Sequence, residues 1–412
     1  MAKVRITART KQFSSLISPA RDRNLPVYNW HAFKHSYSKE LVKQLVDEFD
    51  LDVDDWVLDP FSGGGTTLLA CKELGINSKG FDILPFSVFL SNVKTRSYDA
   101  RILRVAFDKF KSEKPRKVAR GISLPDIVIV DKAFSKKVQN ELLTIRQQIE
   151  RMPDSKTRDF FKLGLLSILE AVSKTTKAGG FLRIVTKNVH AKSVRRFFLA
   201  KIETMIDDVE RFNKGQTAGK VVTDAQLSDS REFLTKRKFD AIITSPPYPN
   251  RHDYTRIYGL ELMLGFVKSD KEMKRIRYDT LRSHVEARKK FAKTDYEQPD
   301  AVTRLVAKIQ KNGMNNSKIT EMIQGYFEDM YLSLCQMQKS LKLGGKIALV
   351  VSNVRFAGVS VPVDEILADV GKQAGLQPKA IYTARYRGNS AQQMETYSRK
   401  PTRESIVIWK KK

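Results

Sequence analysis

The sequence predicts an α/β protein built on a doubly wound, mostly parallel sheet. Strand-like and helix-like segments alternate near both ends of the chain, and strands that are joined by helices pack as a parallel sheet. The 412 residues, of which 41% are hydrophobic, are enough to bury a large core. We therefore expect a folded chain with more than one structural unit.

The first predicted element is a short buried strand from Trp56 to Leu58. A glycine-rich turn follows it, and then a helix that runs through Glu73 and stops at Gly75. A second strand ends at Asp82 and leads into a second helix. After a long interval come five apolar or alternating runs of strand length: GKVVTDAQ, FDAIITS, GGKIALVVSN, PKAIYTARY and ESIVIWK.

Two intervals interrupt this alternation. The first, 101–215, is predicted to be mainly helical, with a small strand-like run, DIVIV, before its helices. Its apolar residues recur at helical spacing: Phe134, Val138, Leu142, Ile145 and Ile149, then Val194, Phe197, Phe198, Ile202, Met205 and Val209. The second, 267–324, is polar and basic. The expected division is a catalytic domain in three parts, 1–100, 216–266 and 325–412, interrupted by these two insertions.

The charge balance indicates a polyanionic partner. The formal net charge of +28 is typical of proteins that bind nucleic acid first and anionic membranes second. Cys71 and Cys335 form neither a pair nor a metal-ligand spacing, so we expect no disulfide and no metal site, and a reducing cytoplasm fits. The start, MAKVRITART, lacks an apolar signal region, and no apolar run approaches membrane-spanning length. We expect a soluble intracellular protein with no membrane partner.

The run DPFSGGGTT is the first sign of a ligand site. It follows a strand and opens a helix, where glycines let a ligand approach the backbone. It matches neither a lysine-containing phosphate loop nor a strict GxGxxG, so phosphate cradling is disfavoured. Asp82 ends the next strand about twenty residues later, where an acidic side chain can accept both ribose hydroxyls of an adenosine ligand. The two signals together favour an adenosine-containing cofactor over a turn that is glycine-rich for packing alone.

Four segments carry a resemblance to a known family. VLDPFSGGGTT, GFDILPFSVFLSNVKT, FDAIITSPPY and RESIVIW resemble the S-adenosylmethionine-dependent amino-methyltransferases of DNA, the N4-cytosine and N6-adenine group of restriction-modification systems. The similarity covers about 25–100, 218–265 and 330–412. It implies a Rossmann-like class I methyltransferase fold with helical and basic insertions, S-adenosyl-L-methionine as cofactor, and double-stranded DNA as substrate in the prokaryotic nucleoid. The resemblance is also compatible with a further partner, a cognate restriction endonuclease that acts on the same site.

The resemblance also assigns cofactor residues by position. The loop residues would line the methionine end, Asp82 would hold the ribose, and Asp229 with Ser230 would face the adenine ring. The segment NWHAFKHSYSKELV would close over the methionine moiety; its histidines, His31 and His35, lack an acidic or cysteine partner at ligand spacing and are not expected to bind metal. The full predicted set is His31, Tyr37, Asp59, Pro60, Phe61, Gly63, Gly65, Thr66, Thr67, Asp82, Asp229 and Ser230.

The run TSPPY has a physical role in this chemistry. An exocyclic amino group is a poor nucleophile because its lone pair is delocalised into the ring, so acceptors must take its protons in hydrogen bonds. Ser245 Oγ and the carbonyl of Pro246 would supply them, because Pro246 and Pro247 exclude a helix here. Tyr248 would stack on a target base that has rotated out of the duplex.

The methylated atom is partly constrained by the cysteines. Methylation at C5 of cytosine needs a cysteine on a loop, whereas Cys71 and Cys335 lie in predicted helices. In the resembling family a serine before PPY favours N4-cytosine, with N6-adenine as the alternative. An RNA base methyltransferase, and a sequence-reading protein with an inactive cofactor site, remain open.

The DNA contacts are predicted from basic residues in three places. Arg251, His252, Tyr254 and Arg256, directly after SPPY, are placed to hold phosphates that flank the extruded nucleotide. Arg275, Arg277 and Arg282 lie in the second interval, and His190, Lys192 and Arg195 lie in the first. In the family, TSPPY-type motifs usually precede this type of glycine loop, whereas here the glycine loop comes first. This order leaves the position of the target-reading region open, so either interval is a candidate for it.

Overall fold

A computed structural model describes residues 4–214, 221–292, 294–313, 316, 318–388, 397 and 400–412. Its centre is an eight-stranded sheet with helices on both faces. The strands of the described chain are β1 (Ile6–Ala8), β2 (Trp56–Asp59), β3 (Asn77–Asp82), β4 (Thr175–Ala178), β5 (Phe181–Ile184), β6 (Thr223–Leu227), β7 (Phe239–Thr244), β8 (Leu341–Ser352), β9 (Val354–Phe356), β10 (Val359–Val361), β11 (Leu376–Arg387) and β12 (Thr402–Lys411).

The large sheet has the order β1-β11-β12-β8-β7-β2-β3-β6. Strand β12 runs antiparallel to β11 and β8, and the other neighbouring pairs are parallel. From β2, in the middle of the sheet, the chain runs outward through β3 to β6. It then returns to β7, on the other side of β2, and continues to β8. Ligands of open α/β sheets bind beside such a reversal, at the carboxyl ends of the strands. The predicted doubly wound, mostly parallel Rossmann-like fold is confirmed.

The helices of the described chain cover both faces of this sheet. They are α1 (Thr10–Phe13), α2 (Lys39–Phe49), α3 (Thr66–Glu73), α4 (Pro85–Thr95), α5 (Ala100–Ser112), α6 (Val128–Ala133), α7 (Lys136–Glu150), α8 (Ser155–Ser167), α9 (Ala191–Lys214), α10 (Tyr254–Ile257), α11 (Gly259–Gly265), α12 (Asp270–Asp279), α13 (Asp300–Lys311), α14 (Lys318–Ser340) and α15 (Val363–Gln373), with 3-10 turns at Pro19–Asp22 and Tyr28–Trp30. No helix among the described residues is both long and apolar enough to cross a membrane.

The alternation of side chains along the strands builds two cores. In β7, Ala241 and Ile243 pack with the apolar residues of α2 and α3, whereas Ile242 between them packs with α14 and α15 on the opposite face. Successive side chains of a strand point to opposite faces, so a strand buried on both sides is apolar throughout. This explains why Ala241, Ile242 and Ile243 are consecutive apolar residues.

The first interval packs its helices α5, α7, α8 and α9 into a third core, to which α4 and α11 also contribute. Val138, Leu142 and Ile149 are buried in it at helical spacing, as predicted. The run DIVIV was expected to be a strand, but most of it lies in α6, whose Val130 packs into this helical cluster. A two-stranded hairpin, β4–β5, also lies in this interval, which the helical pattern did not predict.

The second interval packs against the core of the protein, although its sequence is polar and basic. Helix α13 buries Val302, Val306 and Ile309 in the core that contains α14. Helix α12 buries Met273 and exposes a basic face. The interval is therefore a packed part of the protein with a charged surface.

Candidate active site

The glycine loop between β2 and α3 can exist only with glycine at several positions. Gly63 and Gly65 have φ values of +48° and +75°, in the left-handed region that favours glycine. A Cβ at Gly64 would lie 2.8 Å from Cβ of Phe33, and one at Gly65 would lie 2.9 Å from Cα of Ser91. The loop is therefore held against α4 on one side and against the segment that precedes α2 on the other.

Asp82, at the carboxyl end of β3, organises this loop from the side. Its Oδ2 accepts the N–H of Gly63 at 2.8 Å, and its Oδ1 accepts the N–H of Leu84 at 2.9 Å. Burial raises the pKa of Asp82 to about 6, although these backbone donors favour the ionised form. A carboxylate that faces a cavity in this position can also accept hydroxyl protons of a ligand.

Asp59 links the glycine loop to the strand that leads into TSPPY. Its Oδ1 accepts the hydroxyl proton of Thr244 at 2.6 Å and the N–H of Phe61 at 3.1 Å. Asp59 is buried, and this burial raises the pKa of its carboxyl to about 6. The strand ends of β2 and β7 are thereby held together at the site.

A cavity of about 690 Å³, including the part that opens to solvent, lies between these elements. Of the predicted cofactor residues, the structure brings the following to its wall: Pro60, Phe61, Gly63, Asp82, Asp229 and Ser230. Phe33 and His35, from the segment that was predicted to close over the methionine moiety, also lie on the wall. The remaining lining residues were not predicted to contact the cofactor: Ile83, Leu84, Ser87, Tyr254, Thr280, Leu281, Ser283 and His284. Ile83 and Leu84 follow Asp82 directly, so their position in the chain was an available signal.

The composition of the wall fits an adenosine-containing cation. Phe33, Phe61 and Leu84 offer apolar surface, and Asp82 offers a carboxylate. Ser87 Oγ, also on the wall, is buried and has no hydrogen-bond partner among the described residues, so a bound molecule can supply one. Within the same residues, no group of three or more histidine, cysteine, aspartate or glutamate side chains is placed to hold a metal ion.

Several predicted cofactor residues support the cavity from behind instead of lining it. His31 Nε2 lies 2.9 Å from Glu261 Oε1 in the interior, and burial lowers the pKa of His31 to about 4. The hydroxyls of Tyr37 and Thr67 contact each other and the carbonyl of Ile243. Thr66, Gly65 and Asp59 are likewise absent from the wall. His31 and Tyr37 are buried, so their direct contacts with the cofactor stay a prediction.

TSPPY forms the wall between this cavity and a second concave surface. Ser245 and Pro247 line the cavity, whereas Tyr248 lines an adjoining groove. Ser245 Oγ donates to the carbonyl of Val350 at 3.1 Å and lies 3.5 Å from the hydroxyl oxygen of Tyr248. No backbone N–H among the described residues donates to the carbonyl of Pro246. His284 lines both spaces, so the two lie next to each other.

The groove has a volume of about 1790 Å³ and is open to solvent. Arg251, His252 and Arg256 line it, beside Tyr248. Tyr254 was predicted as a phosphate contact, but it lines the cofactor cavity, where burial raises the pKa of its hydroxyl. Tyr254 is the first residue of α10, and its side chain lies on the side of this helix that faces the cavity.

A buried ionic network holds the second interval against α14. Arg282 pairs with Asp329 at 2.6 Å and with Glu328 at 2.7 Å, and Arg231 bridges Asp329 and Asp229 at 2.9 and 2.7 Å. Arg282 is only 7% exposed, which contradicts the expectation that it contacts phosphates. Burial alone would raise the pKa of Asp229, but Arg231 and Lys289 reverse this and lower it.

Replacing Arg282 with alanine is expected to lower the free energy of unfolding by about 3 kcal/mol, because it removes one cation from a buried pair and leaves charge uncompensated. Urea denaturation followed by circular dichroism measures this. Arg275→Ala is the matched control, since Arg275 is 85% exposed and lies on the same interval. Equal denaturation midpoints for the two variants would contradict a structural role for Arg282.

The remaining predicted DNA contacts differ in their exposure and in whether they are already paired with an acidic side chain. Arg277 pairs with Asp253 at 2.9 Å and with Glu286 at 3.4 Å, and its side chain is mostly buried. Arg195 ties α9 to α7 through Glu141 at 3.0 Å. His190 and Lys192 are exposed near the start of α9, and neither lines the groove.

The fold and the site define the class of an S-adenosylmethionine-dependent methyltransferase. Comparison with known proteins refines this. A family model described as DNA methylase (N6_N4_Mtase) matches residues 9–92, which include the glycine loop and Asp82. Type II methyltransferase M.BsoBI of Geobacillus stearothermophilus is 31% identical, over 99% of this chain and 90% of that protein.

Two further relatives have the same description. Type II methyltransferase M.AvaI of Nostoc sp. is 28% identical over 96% of this chain and 89% of that protein. Type II methyltransferase M.MvaI of Kocuria varians is 23% identical over 82% of this chain and 80% of that protein. The chain belongs to the N4/N6 DNA methylase family of type II methyltransferases, for which S-adenosylmethionine is the methyl donor.

Proposed function

We propose that this DNA methyltransferase transfers the methyl group to the exocyclic N4 amino group of cytosine, after the cytosine has rotated out of the duplex. The observation that carries the proposal is the position of TSPPY between two adjoining spaces. Ser245 and Pro247 face the cavity that fits the cofactor, and Tyr248 faces the basic groove. A base held against Tyr248 lies beside the cofactor cavity.

The chemistry at the amino group follows from the acceptors in this loop. Bound S-adenosylmethionine supplies an electrophilic methyl group on a sulfonium. Because the Ser245 hydroxyl donates its hydrogen bond to the carbonyl of Val350, Oγ can accept an amino N–H of the base with a lone pair. The carbonyl of Pro246 accepts the other N–H. With both protons held out of the ring plane, the nitrogen becomes pyramidal and its lone pair becomes nucleophilic.

The cysteines support amino methylation over methylation of ring carbon. Cys71 is buried in α3, where burial raises the pKa of its thiol, and Cys335 lies in α14, where its thiol pKa is also raised by burial. Neither lines the cavity or the groove. A thiolate nucleophile for C5 attack is therefore missing from the described site. The serine that precedes PPY favours cytosine as the target base.

Both insertions contribute to the proposed DNA surface. The turn of the β4–β5 hairpin comes from the first interval, and Val285 with Glu286 comes from the second; all line the groove. We propose that duplex DNA lies along this groove, with phosphates near Arg251 and Arg256, and that both intervals contribute to target choice. A restriction endonuclease with the same target is the expected cellular counterpart, because the relatives are called type II methyltransferases.

Nucleoside analysis tests the proposed product. The protein is incubated with isotopically methyl-labelled S-adenosylmethionine and duplex DNA, and the DNA is digested and separated by mass spectrometry. We expect labelled N4-methyldeoxycytidine. Labelled N6-methyldeoxyadenosine would overturn the assigned base, and label in transfer RNA, the matched polyanion control, at a higher level than in duplex DNA would overturn the substrate class.

A further inference from the structure

The β4–β5 hairpin extends from the helical insertion to the edge of the groove. Its turn is formed by Gly179 and Gly180, and Gly179 has a φ of +58°. A Cβ at Gly180 would lie 2.7 Å from Cδ2 of His252, so the turn packs closely on the segment after TSPPY. Because both glycines and His252 line the groove, the turn forms part of its wall.

Phe181 follows this turn and leaves a large apolar ring in solvent. Its exposed fraction is 53%, although the next residue, Leu182, packs against the helical core. Side chains alternate along a strand, so Phe181 lies on the face opposite Leu182. Phe181 lines the groove together with Tyr248 and Arg251. A single exposed aromatic residue is common on proteins, so exposure alone assigns Phe181 no role.

Buried charge anchors the hairpin that carries Phe181. Lys177, in β4, pairs with Glu261 of α11, and both side chains are almost fully buried. Glu261 also contacts His31 at 2.9 Å, and Lys34 Nζ donates to the carbonyl of Lys177 at 2.7 Å. The backbone N–H of Lys177 is in turn bonded to Glu170 at 2.9 Å.

Burying this ion pair has a desolvation cost that a surface hairpin would not need if it only connected two helices. Desolvation of a buried ion pair offsets much of its attraction, so its main structural effect is to impose one conformation. Here the conformation imposed holds the hairpin turn rigidly beside TSPPY, with the Phe181 ring exposed. A rigid support below an exposed apolar ring suits insertion into another molecule.

We propose that Phe181 inserts into the base stack of duplex DNA and fills the space that the extruded target base leaves. The inference rests on the base rotation in the proposed function and adds the group that replaces the base. Apolar side chains that enter a stack offset the cost of unstacking, and they act best beside cations that hold the flanking phosphates. Arg251 lines the same groove and supplies such a cation, whereas Arg256, also on its wall, is paired with Asp253 and Glu286.

The test compares Phe181→Ala with the parent chain on two duplexes that contain the mapped target. One duplex is fully paired, and in the other the target base lies opposite an abasic site, which lowers the cost of extrusion. We expect Phe181→Ala to slow single-turnover methylation of the paired duplex by about tenfold, and of the abasic duplex by less than about twofold. Phe181→Leu should recover part of the rate, because an apolar side chain remains.

A control within the same hairpin separates insertion from loss of structure. Ile184 lies in β5, is 48% exposed and does not line the groove, so Ile184→Ala should methylate both duplexes at the parental rate. Cofactor affinity should equal that of the parent chain for both variants. Equal slowing of Phe181→Ala on the two duplexes, or no slowing on either, would overturn the inference.

A fluorescence measurement distinguishes this inference from the proposal on which it rests. 2-Aminopurine beside the target base brightens when the stack opens. If the parent chain gives no brightening with target DNA, base rotation itself is wrong and the inference is overturned with it. Brightening that is strong with the parent chain and reduced with Phe181→Ala supports insertion. Equal brightening with both proteins overturns the inference alone.

Discussion

The Asp82→Ala variant is expected to bind S-adenosylmethionine about a hundredfold or more weakly than the parent chain. The change removes the acceptor proposed for the ribose hydroxyls, where hydrogen bonds to a charged group contribute about 1.5–3 kcal/mol each. It also leaves the N–H groups of Gly63 and Leu84 without the carboxylate that positions them. The loop that faces the cofactor would therefore lose its support together with a direct contact.

Isothermal titration with S-adenosylmethionine measures this loss. Asp224→Ala is a suitable control, because Asp224 lies on the neighbouring strand β6 and pairs with Lys79 on the sheet surface. Asp82→Asn keeps the side-chain shape and should bind with intermediate affinity. Unchanged affinity of a folded Asp82→Ala protein would show that the carboxylate does not contact the cofactor.

The Tyr248→Ala variant is expected to lose about tenfold in the single-turnover rate at every salt concentration. Stacking of a base on an aromatic ring contributes about 1–3 kcal/mol, and this contribution is nearly independent of ionic strength. The slope of log affinity for duplex DNA against log salt should stay at its parental value, since Tyr248 carries no charge. Tyr248→Phe keeps the ring and should retain most of the rate.

Replacement of Arg251 and Arg275 together is the matched comparison for Tyr248. Both side chains are exposed, and each one that neutralises a phosphate should flatten the slope by about 0.9 when removed. Methylation at saturating DNA should change little. The measurements are duplex binding across a salt series and methylation with saturating cofactor. A Tyr248→Ala protein that methylates at the parental rate would exclude the proposed capture of the base.

The parts of the site that could be predicted are those whose requirements are local. A backbone with positive φ at Gly63 and Gly65 demands glycine, and a strand that ends in an acidic residue places Asp82 beside the loop. The two prolines of TSPPY likewise constrain their own backbone. Such requirements leave a signal within a few neighbouring residues, so the glycine loop and the position of TSPPY were visible in the sequence.

The parts that escaped prediction depend on partners far away in the chain. Arg282 lies in a basic run that is typical of an exposed helix, but Asp329, 47 residues later, draws it into the interior. Lys177 and Glu261, which anchor the β4–β5 hairpin, are 84 residues apart. Charge runs show where cations occur, and only the folded chain shows which of them are neutralised. For the same reason the exposed cations Arg251 and Arg275 could not be separated in advance from Arg277.

The 2.6 Å hydrogen bond between Asp59 and Thr244 joins two motifs that are 185 residues apart. It connects neighbouring strands of the sheet, β2 and β7, and none of the intervening chain contributes an atom to it. A circularly permuted gene that encoded the TSPPY strand ahead of the glycine loop would keep the same strand neighbours and the same bond. This bond therefore places no requirement on which of the two motifs is translated first.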